Sequence, residues 1–200
     1  MLELSEKLVD AMINIGTIHK EDKELYLYGG HLLIVTLANI LTTICIGIFM
    51  GMFWESIMFM LTYIPIRIYA GGYHSKTQAR CYMVSIFING FAMIAIKWII
   101  WHSMICYMLL IVSQIGIVAL APIDDNKKLL TDNEKRIYRR NLYGLLCIIN
   151  CIILICKVLS CLIIVNCMMV ALGIALIMLI VGKFKNVYMK NLGQSFFLWV

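Results

Sequence analysis

Charge is scarce in this chain. Only 14% of its 200 residues are Asp, Glu, Lys or Arg, whereas 62% are hydrophobic. A soluble domain is about a quarter charged and about half apolar, so the composition excludes an ordinary soluble protein. Long polar stretches are lacking too, which leaves no room for a second soluble domain. Although there are eight cysteines, no CxxC pair occurs. Nor does a zinc-ligand spacing appear in the run Cys147, Cys151, Cys156, Cys161 and Cys167. That excludes a zinc ribbon and counts against a dithiol oxidoreductase. The start of the chain lacks the basic region and continuous apolar core of a cleavable signal. Glu3, Glu6 and Asp10 stand there instead. There are no internal repeats and no low-complexity tracts.

What remains is a set of apolar runs near the roughly 20 residues that cross a bilayer as helix. The fold class expected is an all-α polytopic membrane protein with about six transmembrane helices and an amphipathic N-terminal helix. Residues 1–200 are read as one membrane-embedded domain. It comprises an interfacial N-terminal helix (1–30), a helical bundle (31–182) and a cytoplasmic tail (183–200). In the N-terminal part, Leu8, Ala11, Met12 and Ile15 follow helical spacing. That stripe suits either the interface plane or packing on the bundle. The spans are placed at 31–53, 56–70, 81–100, 104–121, 142–158 and 161–182. Pro65 lies inside the short second span and is expected to break or kink it. A polar loop is expected over 122–141.

Lys and Arg set the topology. The 66–80 loop carries Arg67, Lys76 and Arg80. The 122–141 loop carries Lys127, Lys128, Lys135, Arg136, Arg139 and Arg140, and the tail carries Lys183, Lys185 and Lys190. With six spans all three fall on one face, so both termini and both basic loops are expected in the cytoplasm. The formal charge of +6 then reflects positive-inside sorting and anionic lipid, and no nucleic-acid partner is implied.

One of these loops holds more than charge. Between two apolar runs the chain reads Arg67-Ile68-Tyr69-Ala70-Gly71-Gly72-Tyr73-His74-Ser75-Lys76-Thr77-Gln78-Ala79-Arg80-Cys81. A histidine and a cysteine are the minimum equipment for thiol catalysis. On one straight helix His74 and Cys81 would share a face but lie about 10 Å apart, too far for a nucleophile and its base. Gly71 and Gly72 permit backbone angles closed to other residues. A loop is therefore expected to fold His74 back over the start of a helix bearing Cys81. A cysteine at a helix N-terminus beside cations favours the thiolate, and the N–H groups there suit an oxyanion. Ser85, one turn on, can serve the site or bond its own backbone. No Asp or Glu lies between Arg67 and Cys81, so Asp124 and Asp125 are the nearest candidates to orient the base. The same residues also suit a plain turn whose cations only fix topology. His31 and His102, at span ends, read as interfacial anchors, and His19 shows no evident role.

The pattern Arg67-x3-Gly71-Gly72-x-His74-x6-Cys81-x3-Ser85 resembles the signature of the accessory gene regulator B (AgrB) family. Chain length, the amphipathic N-terminal region, the six expected spans and Ala121-Pro122-Ile123-Asp124 before a basic loop fit as well, so the resemblance covers nearly the whole chain. It implies a membrane cysteine endopeptidase of a Gram-positive quorum-sensing system. Such an enzyme removes the C-terminal tail of a small AgrD-like precursor through a Cys thioester and promotes cyclisation to a thiolactone or lactone. The resemblance implies Cys81 as nucleophile and His74 as general base, then acid. Arg67, Gly71, Gly72 and Ser85 are supporting residues, and Lys127 and Lys128 match the family's basic loop. The partners implied are the AgrD-like precursor and the lipid bilayer, with a homo-oligomer left open and no cofactor or metal. The strongest rival is a non-enzymatic six-helix transporter or peptide exporter that uses its basic loops only for topology. A membrane scaffold subunit is a further rival.

The topology is checked with single cysteines introduced as Lys76→Cys, His102→Cys or Lys128→Cys in a background without the other reactive cysteines. An impermeant thiol reagent applied to intact cells should label position 102 and spare 76 and 128. Labelling of 76 without 102 would invert the arrangement.

Overall fold

The computed structural model describes residues 2–72, 78–98, 103–123 and 131–197. They form seven α-helices: α1 (Leu2–Asn14), α2 (Lys23–Phe49), α3 (Phe53–Ala70), α4 (Gln78–Trp98), α5 (Ser103–Leu120), α6 (Asp132–Val158) and α7 (Leu162–Phe197). A short 3₁₀ turn at Lys20–Asp22 precedes α2. Among the described residues there is no strand. The protein is an all-α membrane protein. Arg80–Trp98, Asp132–Val158 and Leu162–Val187 are long and apolar enough to cross a bilayer, and Leu33–Phe49 and Tyr107–Leu120 are shorter apolar helical stretches.

Helix α7 is the axis of the bundle and packs against α3, α4, α5 and α6. Its small residues explain how. Ala171 and Ala175 are buried, and small residues let helix backbones approach where lipid is as apolar as the side chains. On α5, Gly116 leaves the notch that the Leu176 side chain fills. Two apolar clusters flank this axis. One gathers Phe59, Met60, Ala92, Met93, Val170 and Ile174. The other gathers Ile66, Ile117, Leu142, Leu146, Met168 and Leu172. Tyr63 on α3 packs against both.

Several expected bounds move. Helix α2 begins at Lys23, eight residues before the expected 31. Gly29 and Gly30 lower helix propensity by about 1 kcal/mol each relative to Ala, which does not stop a helix that has packing partners. Pro65 does not break α3, which continues to Ala70. Proline removes one ladder bond while its φ remains helical, and transmembrane bundles tolerate that loss. The polar loop expected over 122–141 is helical from Asp132 onward. Thr131 caps α6 through a reciprocal capping box with Glu134. The S/T-x-x-E signature was present in the sequence. The basic residues that follow are good helix formers, so polarity there did not mean loop. Helix α7 likewise runs past the expected end at 182 to Phe197.

The N-terminal helix packs on α2. Val9 and Ile18 are buried, whereas Ala11, Met12 and Ile15 of the expected stripe are exposed. Asp10 pairs with Lys23 at 2.7 Å, and this hydrogen bond raises the lysine pKa. So exposed a pair adds little stability.

The ends of the bundle differ. At one end the Lys97 ammonium donates to the Met50 carbonyl at 2.7 Å, and Lys157 lies 4.4 Å from the Tyr107 ring centroid. At the other end the Ile123 N–H donates to the Ala70 carbonyl at 3.0 Å, and the Tyr69 and Tyr138 rings lie 6.1 Å apart. The chain segments that open the two basic loops thus touch, as loops on one side of a membrane would.

Between α5 and α6, Gln114 Nε2 donates to Asn150 Oδ1 at 2.6 Å and Asn150 Nδ2 donates to Gln114 Oε1 at 3.1 Å. Each amide satisfies the other. Gln114→Leu should cost about 1 kcal/mol, within the range found for membrane hydrogen bonds. The Gln114→Leu/Asn150→Leu double variant should recover most of that loss. A double-mutant cycle on the denaturation midpoint in micelles measures the coupling, and strict additivity would show that the pair does not interact.

Candidate active site

The site begins with how α3 ends. The Gly71 N–H donates to the Arg67 carbonyl at 3.1 Å. The Arg67 guanidinium folds forward, and Nη1 donates to the Gly71 carbonyl at 2.9 Å. Gly71 has φ 77 and ψ −147, a region open almost only to glycine. Gly72 follows with φ 137. Space is as restrictive as angle. A Cβ on Gly71 would lie 2.6 Å from the Ile123 carbonyl oxygen, and a Cβ on Gly72 would collide with the Arg67 guanidinium. Both glycines are therefore required by conformation and by contact. Ala121 N–H donates to Ile117 at the end of α5, and Arg139 Nε of α6 donates to the Ala121 carbonyl at 3.4 Å. Ile123 thus lies against Gly71, and Ala121, two residues before it, joins the end of α5 to α6.

Helix α4 starts at Gln78, which puts Cys81 at its fourth residue, half-buried. The expected break between the Gly-Gly pair and the cysteine helix is present: Gly71 and Gly72 are non-helical, and Cys81 is helical. The first N–H groups of a helix have no partner within it. Ser85 Oγ donates to the Cys81 carbonyl at 3.0 Å, so the serine bonds its own helix in the way many membrane serines do. Arg80 is exposed.

Beside Arg67 on α3 stands a tyrosine that sequence reasoning passed over. Tyr63, one turn before Arg67 on α3, packs against both apolar clusters. Its ring stacks on Phe59 with centroids 5.4 Å apart. The i, i+4 spacing from Arg67 was the only signal for it. His74, Lys76, Asp124, Asp125, Lys127 and Lys128 lie outside the described residues. The structure thus brings together Arg67, Gly71 and Gly72, and places Cys81 at the fourth residue of α4. Cys45, Cys147, Cys151, Cys156, Cys161 and Cys167 are all helical or in the turn after α6. Cys81 is the described cysteine that combines a helix start, an adjoining cation and a preceding Gly-Gly break.

The accessory gene regulator B family model matches residues 5–195. The chain belongs to the AgrB family. A "Putative AgrB-like protein" of Clostridium perfringens strain SM101 is 30% identical over 149 residues, covering 68% of each chain. A "Putative AgrB-like protein 2" of Clostridium perfringens strain 13 is equally similar, at 30% identity over 149 residues and 68% of each chain. No solved structure matches. AgrB membership ties the chain to agr quorum sensing, with a peptidase role and a peptide precursor as partner.

The glycine geometry makes a direct claim on stability. Gly71→Ala should destabilise the protein by about 1–3 kcal/mol, the usual cost of holding a side-chain-bearing residue in such a backbone region. Gly90→Ala, where a Cβ would meet nothing, should be neutral or stabilise α4 by up to about 1 kcal/mol. Thermal unfolding of the purified protein distinguishes the two; equal midpoints would show that Gly71 can relax.

Proposed function

We propose that this AgrB-family protein is a membrane cysteine endopeptidase that removes the C-terminal tail of an AgrD-like precursor and promotes its cyclisation. The observation that carries the reading is the placement of Cys81. It is a half-buried thiol in the first turns of α4, after the Gly71–Gly72 break that the Arg67 guanidinium caps.

In the proposed reaction His74 takes the thiol proton, and the Cys81 thiolate attacks the scissile carbonyl. N–H groups at the α4 start stabilise the oxyanion. His74 then gives its proton to the leaving amine, and the acyl group remains as a thioester on Cys81. An internal cysteine or serine of the precursor attacks that thioester, losing its proton to His74, and the ring closes as Cys81 is released. Partial exclusion of water favours ring closure over hydrolysis. Forming a thioester from an amide is uphill, so removal of product must help drive the sequence. Arg67, Gly71 and Gly72 hold the turn that precedes His74. Ser85 braces the Cys81 turn, and Lys127 and Lys128 meet the acidic tail of the precursor.

Co-expression with the small peptides encoded beside the gene, read by mass for tail loss, tests this. Cys81→Ser should abolish cleavage while membrane levels persist, because a hydroxyl is a far poorer nucleophile than a thiolate. His74→Ala should slow cleavage by about 10²–10⁴-fold, and His19→Ala should not. The active protein should carry a hydroxylamine-sensitive precursor adduct on Cys81. Normal processing by Cys81→Ser would remove the protease reading and leave a transporter.

A further inference from the structure

Two polar side chains of α4, Ser85 and Asn89, follow Cys81 along its helix. Cys81, Ser85 and Asn89 recur at i, i+4 and i+8, which places them on one helix face. Ser85 spends its hydroxyl on the Cys81 carbonyl. Asn89 is 4% exposed, and its Nδ2 donates to Thr43 Oγ1 of α2 at 2.6 Å. Thr43 is fully buried and donates onward to the Asn39 carbonyl at 2.8 Å. Two further bonds join the same helices: Tyr82 and Thr42 share a hydroxyl–hydroxyl bond of 2.6 Å, and Lys97 reaches the Met50 carbonyl. These three hydrogen bonds join α4 side chains to α2 and its C-cap residue. The contact of α4 with α7 is apolar: Ala92, Met93 and Ile96 meet Val170, Ala171 and Ile174.

This seam costs stability. Asn39 Oδ1 and Asn89 Oδ1 are buried without a hydrogen-bond partner. An unpaired buried acceptor is unfavourable, more so in hydrocarbon. Apolar residues of the same size would pack the α2–α4 contact without that cost. What apolar packing in lipid does not supply is register. A helix that slides by one residue moves about 1.5 Å and turns by about 100°, and an apolar face accepts such slips with little penalty. A single buried amide is the established way to forbid them in coiled coils. In α4 the consequence of a slip is specific, because Cys81 would be rotated and displaced together with its helix.

We propose that Asn89 and Thr43 are positioning residues for Cys81: their buried hydrogen bond fixes the rotation and height of α4 on α2, and so the place of the thiol. The inference rests on the reading that Cys81 is the nucleophile. A displacement of about 1 Å at a reacting atom is enough to cost about a hundredfold in rate. Thr43 and Asn89 therefore act on the turnover of bound precursor, not on its capture.

Two measurements on the full-length protein in membranes separate this proposal from the reading beneath it. The first needs no catalysis. In a protein whose other seven cysteines are replaced, the rate of Cys81 alkylation by N-ethylmaleimide reports the setting of the thiol. Thr43→Val, isosteric but without the hydroxyl, and Asn89→Leu should each change that rate at least threefold. Thr43→Ser, which keeps the hydroxyl, should restore it to within twofold of the parent. Tyr82→Phe, a gentler loss from the same seam, covers the case in which the first variants fail to insert and should shift the rate in the same sense. The second measurement is tail loss from the co-expressed precursor. Thr43→Val should lower the rate at saturating precursor at least tenfold and leave the half-saturating concentration unchanged, with Thr43→Ser again restoring it. Parental alkylation rates in the inserted variants would overturn the proposal, as would equal defects in Thr43→Ser and Thr43→Val. Altered alkylation rescued by Thr43→Ser, together with full processing by Cys81→Ser, would keep the α2–α4 register and refute Cys81 as nucleophile.

Discussion

The hydrogen bond from Ile123 to the last carbonyl of α3 organises the end of the bundle where the chemistry-bearing residues collect. It requires the chain to leave α3 abruptly at Gly71, in a conformation and at a distance that exclude a side chain. Once that turn is fixed, Arg67 has a carbonyl to cap, α5 and α6 have a shared end to pack against, and α4 must begin anew. Cys81 stands near a helix start because α3 was made to stop. A helix that simply continued through 71–81 would have buried those N–H groups in its own ladder.

Much of this was legible before any coordinates, for physical reasons. Long apolar runs report the membrane directly, since lipid imposes a length and an internal hydrogen-bonding rule that few other environments share. The Gly-Gly pair reported a break because only glycine reaches the angles found at Gly71 and Gly72. Helix ends beyond the hydrocarbon were harder. Asp132 to Asn141 is polar and strongly basic, so hydropathy read it as loop, while Thr131 and Glu134 were capping a helix. Pro65 leaves α3 unbroken, because its cost is local and packing against α7 is not.

The lateral relations between helices were the least legible. Nothing in the spacing of Tyr63 indicates that it packs against both apolar clusters, since that depends on how α3 leans on α7. The Asn89–Thr43 bond is similarly silent in sequence: nothing in either apolar run marks which polar residue of the other helix is its partner. Polar residues within apolar spans are worth reading as pairs. Gln114 with Asn150 and Asn89 with Thr43 show two outcomes of that rule, one fully reciprocal and one leaving acceptors over.

Helix α7 has one more bearing on how the molecule behaves. Its 36 residues make a rod about 54 Å long, against a hydrocarbon layer of about 30 Å. The surplus is not a separate appendage, because the same continuous helix forms the centre of the bundle. A push on the far end is thereby delivered to the axle around which α3, α4, α5 and α6 are mounted, through one unbroken helical ladder.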